Sequence, residues 1–301
     1  MLGRFTGAAG ILEGARADGT ALWITPLWRQ ASAWGLDAGD LGYGYQGNIG
    51  GLALGVDHTF GIAPGNFLRV GLSAHMGGGH AWSDGDFNDT SNSMTFWGLE
   101  AWLGWHYGAW GLLADVGYTG AWHQLEQEMP ASMQMADLES DVASGAWQAG
   151  LRLQHTITTP ALDITPHVGA RYTHVQVFGH DVQSSGTLLH GEGYSQDIWT
   201  FPVGVTLDKT LHTASGWQIR PSLDVSAIPA TGDLKARQSV SFSGLPGSYE
   251  LESRVQEEMT WQGSLGLDVG KGDFSLGVHY TAQTGSKSSG HGLFARFCWE
   301  F

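Results

Sequence analysis

The sequence is poor in cysteine, in basic residues and in long apolar runs, and each shortage excludes a class of protein. Its one cysteine, Cys298, excludes an internal disulfide framework and any zinc site built from several cysteines. Lys and Arg number 14 against 29 Asp and Glu, and the formal net charge of −15 argues against a nucleic-acid partner, because phosphate binding needs clustered basic residues. The longest uncharged segment, Leu41–Val56, contains Gln46 and Asn48 and is shorter than the roughly 20 apolar residues of a membrane helix.

Glycine and tryptophan are abundant instead, with 46 and 14 residues, while charged residues make up 14% of the chain against about 25% in a typical soluble domain. This composition indicates that much of the surface does not face water. Apart from a helix, only a closed β-barrel satisfies its backbone inside a bilayer. A barrel alternates apolar lipid-facing positions with polar lumen-facing positions, which keeps the mean hydropathy modest.

Period-two alternation runs through the sequence, and in the clearest run Phe274, Leu276, Val278, Tyr280 and Ala282 form one face. Such runs predict twelve strands, near residues 21–33, 41–60, 67–81, 93–107, 109–124, 141–157, 162–178, 196–211, 217–229, 252–269, 273–284 and 289–301. Connections after the even-numbered strands are short, and those after strands three, five, seven and nine are longer. The sequence therefore predicts an all-β, up-and-down antiparallel transmembrane barrel with both chain ends in the periplasm. A soluble barrel or sandwich would instead carry one polar outer face.

Five arginines and many acidic residues fall on the polar side of this alternation. An arginine at mid-bilayer on the lipid face costs roughly 2 to 4 kcal/mol, so the lumen is the expected location. We predict a hydrated lumen lined by a network of both charge signs, formed by Arg69, Arg152, Arg171, Arg220, Arg296, Asp57, Glu100, Asp115, Asp208, Asp224 and Asp268.

Several tryptophans lie near the ends of the predicted strands, as expected of the aromatic belts at the two membrane interfaces. The predicted interface residues are Trp28, Trp105, Trp110 and Trp217, together with Trp82 and Trp122. A carbohydrate-binding stack would instead group its tryptophans in one loop.

The last strand carries an apolar residue at every second position up to the terminal Phe301. This ending resembles the C-terminal signal that the barrel-assembly machinery reads in outer-membrane proteins, and we predict Phe297, Trp299 and Phe301 as that signal. An exposed strand edge is open to capture by β-augmentation and then to pairing with strand one.

The order of segments from Ala21 onward resembles one known family. The chain runs ALWITPLWRQ, then GLDAGDLGYGYQGNIGGLALGVDHTF, then FLRVGLSAHMGGGHAW. A Trp-bearing first strand, an Asp- and Gly-rich loop and the pattern of Gly51, Gly55 and Asp57 resemble the opening of the autotransporter β-domain. The resemblance covers about residues 19–301 and lies in the whole order of segments, since a lone G-x-x-x-G has no specificity.

The resemblance implies a translocator that exports and anchors an N-terminal passenger in type V secretion, in the outer membrane of a Gram-negative bacterium. Residues 1–18 then form a linker before the barrel of residues 19–301, with Gly7 to Arg16 in the place of a short pore helix. Its three glycines each cost about 1 kcal/mol in a helix interior. No tandem Asn lies near strand one, so self-cleavage is not predicted. The implied partners are outer-membrane lipids, the barrel-assembly machinery and the passenger, and the barrel is expected to be a monomer.

Residues 1–19 make a poor secretory signal, so we expect either an artificial start at Met1 or a longer precursor. One alternative is a stand-alone outer-membrane pore or surface adhesin. A barrel enzyme is another, but His75, His106 and His279 fall in the lumen register and no triad emerges from the spacing. The sequence therefore predicts no catalytic, cofactor or metal site and no enzyme.

Overall fold

The structure, a computed structural model, describes residues 18–38, 41–85, 90–129, 132, 134 and 136–301. Within these ranges, twelve long antiparallel strands form one closed sheet. No helix among the described residues is long and apolar enough to cross a membrane. The predicted helix at Gly7 to Arg16 lies outside the described residues.

The barrel strands are numbered β1 to β12 in chain order. They are β1 Gly19–Ala38, β2 Leu41–Ala63, β3 Asn66–Gly85, β4 Thr90–Tyr107, β5 Trp110–Gln127, β6 Leu138–His155, β7 Asp163–Val177, β8 Tyr194–Thr200 continued as Val203–Asp208, β9 Gln218–Gly232, β10 Met259–Lys271, β11 Phe274–Thr284 and β12 Ser288–Glu300. Two short pairs, Ile157–Thr158 and Leu211–His212, extend the sheet beside β7 and β9.

Every barrel strand pairs with its neighbours in the chain, and β12 pairs with β1 to close the ring. The closing register runs from Ala21 opposite Glu300 to Ala33 opposite Ser288. Closure leaves these twelve strands without a free edge, which is the condition for placing β-structure in lipid.

The predicted strand count and antiparallel order are confirmed, but several boundaries were wrong. Strand β8 is interrupted at Phe201 and Pro202, because proline has no N–H to donate to the ladder. The tenth strand begins at Met259 and not near residue 252, and Tyr249–Arg254 forms half of a separate hairpin. The connection expected at residues 82–92 is shorter, because β3 continues to Gly85 and β4 already begins at Thr90.

The two ends of the barrel differ. At the end that holds Gly19 and Phe301, here called the terminal end, two-residue turns occupy residues 64–65, 108–109 and 272–273. Each of these turns contains a glycine with positive φ, namely Gly65 at 70°, Gly108 at 58° and Gly272 at 61°. Tight turns need that conformation, and glycine adopts it without steric cost.

At the opposite end, here called the loop end, two connections fold into hairpins of their own. His180–Gln183 pairs with Thr187–Gly191, and Lys235–Phe242 pairs with Tyr249–Arg254. The two hairpins also pair with each other, with Leu189 opposite Phe242. The connections after β7 and β9 therefore extend the sheet of the barrel wall further at the loop end.

The faces of the barrel are inverted relative to a soluble protein. Large apolar side chains such as Leu72, Leu99 and Leu265 point outward, and Leu265 is 58% exposed. Polar and charged side chains such as Asp57 and Glu100 are buried on the inner face. Outward apolar and inward polar side chains are the pattern of a lipid-embedded barrel.

Placing an arginine on the outer face should destabilise the barrel far more than placing one on the inner face. Leu265→Arg puts a charge midway along β10 on the lipid side, at an expected cost of about 2 to 4 kcal/mol in the free energy of unfolding from bilayers. Its control is Ser264→Arg, one residue away and lining the inner cavity. Denaturant titration in lipid vesicles measures both, and equal losses would contradict the inward and outward assignment.

Glu257 ties together two connections at the loop end. Its carboxylate accepts hydrogen bonds from the amide N of Ser286 at 2.6 Å, the amide N of Lys287 at 2.8 Å and the Ser288 hydroxyl at 2.7 Å. Burial alone would raise the pKa of the carboxyl, but these bonds, together with that of the Ser286 hydroxyl, lower the pKa from 4.5 to about 2. The β11–β12 turn is therefore held by an ionised carboxylate.

Glu257→Gln should make stability less sensitive to acid. Because its pKa is lowered on folding, the carboxylate stabilises the folded chain fully above about pH 4.5, and this contribution is lost as the pH falls toward 2. The midpoint of thermal unfolding, followed by heat-modifiable gel migration, should fall less across this window in Glu257→Gln than in the wild type. Glu258→Gln is the matched control, since the Glu258 side chain is 76% exposed.

Candidate functional site: the barrel lumen

The inner face surrounds a cavity of about 1220 Å³. Polar and charged side chains from most strands line it, among them Arg29, Arg152, Asp224, Gln262 and Arg296. No group of three or more His, Cys, Asp or Glu side chains in the described ranges is arranged to hold a metal ion. Charged side chains thus line the lumen, and its chemistry depends on how these charges pair.

Asp57 is the centre of the first charge cluster. Its side chain is 0% exposed, and Oδ1 accepts from Nε of Arg69 at 2.6 Å. Oδ2 accepts from the indole N–H of Trp23 at 3.1 Å and lies 3.8 Å from the Arg296 guanidinium. Arg296 also lies over the Trp23 ring, 5.0 Å from its centroid. This cluster joins β1, β2, β3 and β12, the strands around the closing seam.

A second cluster joins Asp115 on β5 to Arg171 on β7, with Nη2 to Oδ1 at 2.7 Å. The two residues lie opposite each other across Gly150 of β6. A Cβ on Gly150 would come within 2.7 Å of both charged groups, so only glycine leaves room for the pair to meet. Arg171 also donates to the side-chain oxygen of Gln148 at 3.3 Å.

A third cluster surrounds Asp224 on β9. His167 Nε2 lies 2.9 Å from Oδ2, and the hydroxyl of Thr206 donates to the same oxygen at 2.7 Å. The His167 ring reaches Asp224 over Gly204 of β8, where a Cβ would lie 2.7 Å from the ring. Arg152 donates to Thr206 at 3.4 Å, which links β6 to the same cluster.

Two further charged pairs join neighbouring strands. Arg220 on β9 donates through Nε to Oδ2 of Asp208 on β8 at 2.5 Å. On β10, Asp268 lies 3.1 Å from Nε2 of His279 on β11. A glycine again stands opposite each partner of the second pair, with Gly277 facing Asp268 and Gly266 facing His279.

All eleven residues predicted to line the lumen have inward-facing register positions, but the structure does not join them into one network. Glu100 differs from the other acidic residues of the set. It is only 3% exposed, and neither of its carboxylate oxygens has a hydrogen-bond partner in the described part of the chain. The histidine partners of Asp224 and Asp268 were not predicted, because their pairing depends on the register between strands.

Inward-facing aromatic residues are a feature that sequence reasoning missed. Trp23, Phe96, Trp102 and Phe294 are all buried on the inner face. Trp23 lies over Gly55 and Trp102 over Gly71, where an added Cβ would meet each ring within 2.3 Å. An inward aromatic opposite a glycine on the next strand would have been the detectable signal.

The predicted interface tryptophans are all exposed on the outer face. Trp105, Trp110 and Trp217 lie at the terminal end, where Trp105 donates to Asn66 at 3.0 Å and Lys271 lies 5.5 Å from the Trp217 ring. Trp28 is not at a strand end, because β1 continues to Ala38.

A second outward aromatic row, absent from the prediction, lies nearer the loop end. Tyr118 contacts Trp97 and Trp147 at centroid distances of 5.7 and 4.8 Å, and Tyr172 contacts Trp199 at 5.0 Å. These rings mark a second level on the outer wall, across the apolar band from Trp105 and Trp110.

The last strand follows the predicted alternation. Phe297, Trp299 and Phe301 are exposed on the outer face, while Phe294 and Cys298 are buried on the inner face. Phe301 exchanges backbone hydrogen bonds with Thr20 of β1 at 2.9 and 3.0 Å. The terminal residue therefore takes part in closing the barrel.

Gly150→Val should separate Asp115 from Arg171, since the new side chain would occupy the space in which they meet. Unpairing a buried ion pair costs about 3 to 5 kcal/mol, and an equivalent loss in the free energy of unfolding is expected. Gly263→Val is the control, because a Cβ there meets nothing within 4 Å. Urea titration in detergent micelles compares them, and a similar loss at both sites would contradict the assigned role of Gly150.

Comparison with known proteins agrees with this architecture. The family model for the autotransporter β-domain matches residues 22–281. No curated protein matches the sequence. Among solved structures, the translocator domain of the autotransporter NalP from Neisseria meningitidis has a TM-score of 0.69 at 14% identity, covering 99% of this chain and 94% of its own.

The transport unit of the autotransporter AIDA-I from Escherichia coli has a TM-score of 0.67 at 15% identity, with 99% of this chain and 97% of that chain covered. The β-domain of the Bordetella autotransporter BrkA has a TM-score of 0.63 at 12% identity, with 92% and 99% covered. These likenesses confirm the fold, and the family match confirms the resemblance seen in the sequence. The chain therefore belongs to the autotransporter β-domain family, the outer-membrane barrels that export a passenger in type V secretion.

Proposed function

We propose that residues 19–301 are an outer-membrane translocator with both barrel termini in the periplasm, through whose lumen a passenger attached before residue 19 is exported. The observation that carries this proposal is the difference between the two ends of the barrel. Two-residue turns fit the periplasmic side, whereas paired hairpins such as Lys235–Phe242 fit the cell surface, where bacterial barrels carry their longer loops. Residues 1–18 then serve as the linker to the passenger.

In this proposal the charged lining keeps the lumen hydrated and the wall rigid. Asp57, Asp115, Asp208, Asp224 and Asp268 each lie within hydrogen-bond distance of an Arg or His. Charges that pair along the wall stabilise neighbouring strands and leave few free charges to hold a passing chain. The paired charges thus favour the passage of a polypeptide over its retention in the lumen. No catalytic role is assigned to these charged residues.

The outward face of β12 supports a role for Phe297, Trp299 and Phe301 in recognition by the barrel-assembly machinery. Before β12 pairs with β1, its edge is open to β-augmentation, and three exposed aromatic side chains give that edge a distinct outer face. After insertion, the same side chains and the rows that contain Trp105 and Trp147 contact outer-membrane lipids. A closed ring without a free barrel edge supports a monomer.

Paired cysteine labelling tests the orientation. In a Cys298→Ser background, Ser248→Cys lies in the loop-end hairpin and Ser215→Cys in a terminal-end turn. A membrane-impermeant maleimide should label Ser248→Cys on intact cells, and Ser215→Cys only after the outer membrane is permeabilised. The reverse pattern would overturn the proposed orientation.

Surface display tests export. A secreted reporter fused ahead of residue 1 should become accessible to external protease and antibody when the barrel is intact. Phe301→Asp should lower the amount of folded barrel and of displayed reporter, while Cys298→Ser, which changes the inward face of the same strand, should leave both unchanged. A folded, correctly oriented barrel without display would contradict export and favour a stand-alone pore or adhesin.

A further inference from the structure

Three polar side chains on consecutive strands form a hydrogen-bonded chain near the loop end of the lumen. His123 Nε2 on β5 lies 3.0 Å from the hydroxyl of Ser144 on β6. His123 Nδ1 lies 3.2 Å from the side-chain nitrogen Nδ2 of Asn92 on β4. All three residues share the inward register. The function described above makes no use of this group.

The role of each imidazole nitrogen depends on the orientation of the Asn92 carboxamide. A half-turn of the Asn92 carboxamide exchanges its oxygen and nitrogen, and Oδ1, which is buried and without a partner in the described residues, then accepts from Nδ1–H of His123. Nε2 is left as the acceptor for the Ser144 hydroxyl. A nucleophile, a base and a group that orients the base, each within hydrogen-bond reach of the next, form the arrangement that activates a serine.

The surroundings suit a neutral base and an accessible hydroxyl. Met94 and Val142 lie directly opposite His123 on the two neighbouring strands, so apolar side chains flank the imidazole on both sides. Ser144 lies opposite Ala121, and Ala121 and Ala146 both line the cavity. Ser144 itself is partly exposed, so a group that enters the lumen beside these small side chains can reach it.

We propose that Ser144 and His123 are a catalytic nucleophile and base, positioned by Asn92, that accept acyl groups from carboxylic acyl donors, esters above all. The Ser144 oxygen attacks the carbonyl carbon while its proton moves to Nε2 of His123. The ester C–O bond then breaks, and the leaving alcohol takes that proton. Water repeats the sequence on the acyl-serine and releases the carboxylic acid, so the enzyme returns to its first state.

Turnover should be slow, because the continuous β5–β6 ladder engages the backbone N–H groups that would otherwise stabilise an oxyanion. Loss of a single oxyanion donor lowers kcat by about 100 to 1,000-fold in well-built serine enzymes. A covalent trap is therefore a sharper measurement than product release. A fluorophosphonate serves as that trap, since the serine oxygen bonds to phosphorus as fluoride leaves.

The experiment treats the full folded barrel in detergent with a fluorophosphonate probe and maps the labelled peptide. Labelling should occur at Ser144, disappear in Ser144→Ala and after heat unfolding, and slow by about 100-fold or more in His123→Gln. The matched control is Ser93→Ala, which removes an outward serine that lies 3.2 Å from His80 and should leave labelling unchanged. Heat-modifiable migration first establishes that each variant is folded.

Asn92 is tested through the pH profile of labelling. Asn92→Ala should slow labelling, whereas Asn92→Asp should restore it and move the profile to higher pH, because a carboxylate beside the imidazole favours its protonated form. An absence of labelling in the folded wild type would overturn the proposal, as would labelling that is insensitive to His123→Gln. Neither result would affect export, which the display experiment measures separately.

Discussion

Every feature of this molecule depends on the need to satisfy backbone hydrogen bonds where no water is available. An open sheet would leave the outer edges of β1 and β12 unpaired, and pairing from Ala21 opposite Glu300 to Ala33 opposite Ser288 removes both edges. Once the ring is closed, each side chain must face either lipid or lumen. The inverted faces, the polar cavity and the positions of the charges all follow from that closure.

Closure also explains the pairing of glycines with large inward side chains. A ring of twelve strands has little room for bulky residues on every inner position, and neighbours on adjacent strands compete for the same space. Gly150 resolves this competition by letting Asp115 and Arg171 meet across a whole strand, and Gly55 gives the same room to Trp23. The charge clusters therefore stabilise the wall across two to four strands at a time, which single-strand alternation does not reveal.

The local periodicity of the sequence was sufficient to predict the strands and the two faces of each strand. Alternation of residues such as Leu276 and Gly277 identified the strands and their faces, and the strand count followed from it. Contacts between residues that are distant in the sequence could not be predicted, because they depend on the register between strands. The contact of Leu189 with Phe242 joins two hairpins, the histidine partners of Asp224 and Asp268 lie on other strands, and Asn92, His123 and Ser144 meet only when three strands are aligned. Contacts of this kind cannot be predicted from spacing along the chain.

The way in which the lumen charges pair has a consequence for cargo. Most carboxylates of the lining already neutralise a guanidinium or contact an imidazole within the wall, as Asp57 does with Arg69 and Asp208 with Arg220. Such local compensation leaves little field across the passage, so an acidic and a basic polypeptide would meet similar electrostatic barriers. Under the proposed export through the lumen, a wall that is neutralised internally would therefore discriminate little between cargoes by their charge.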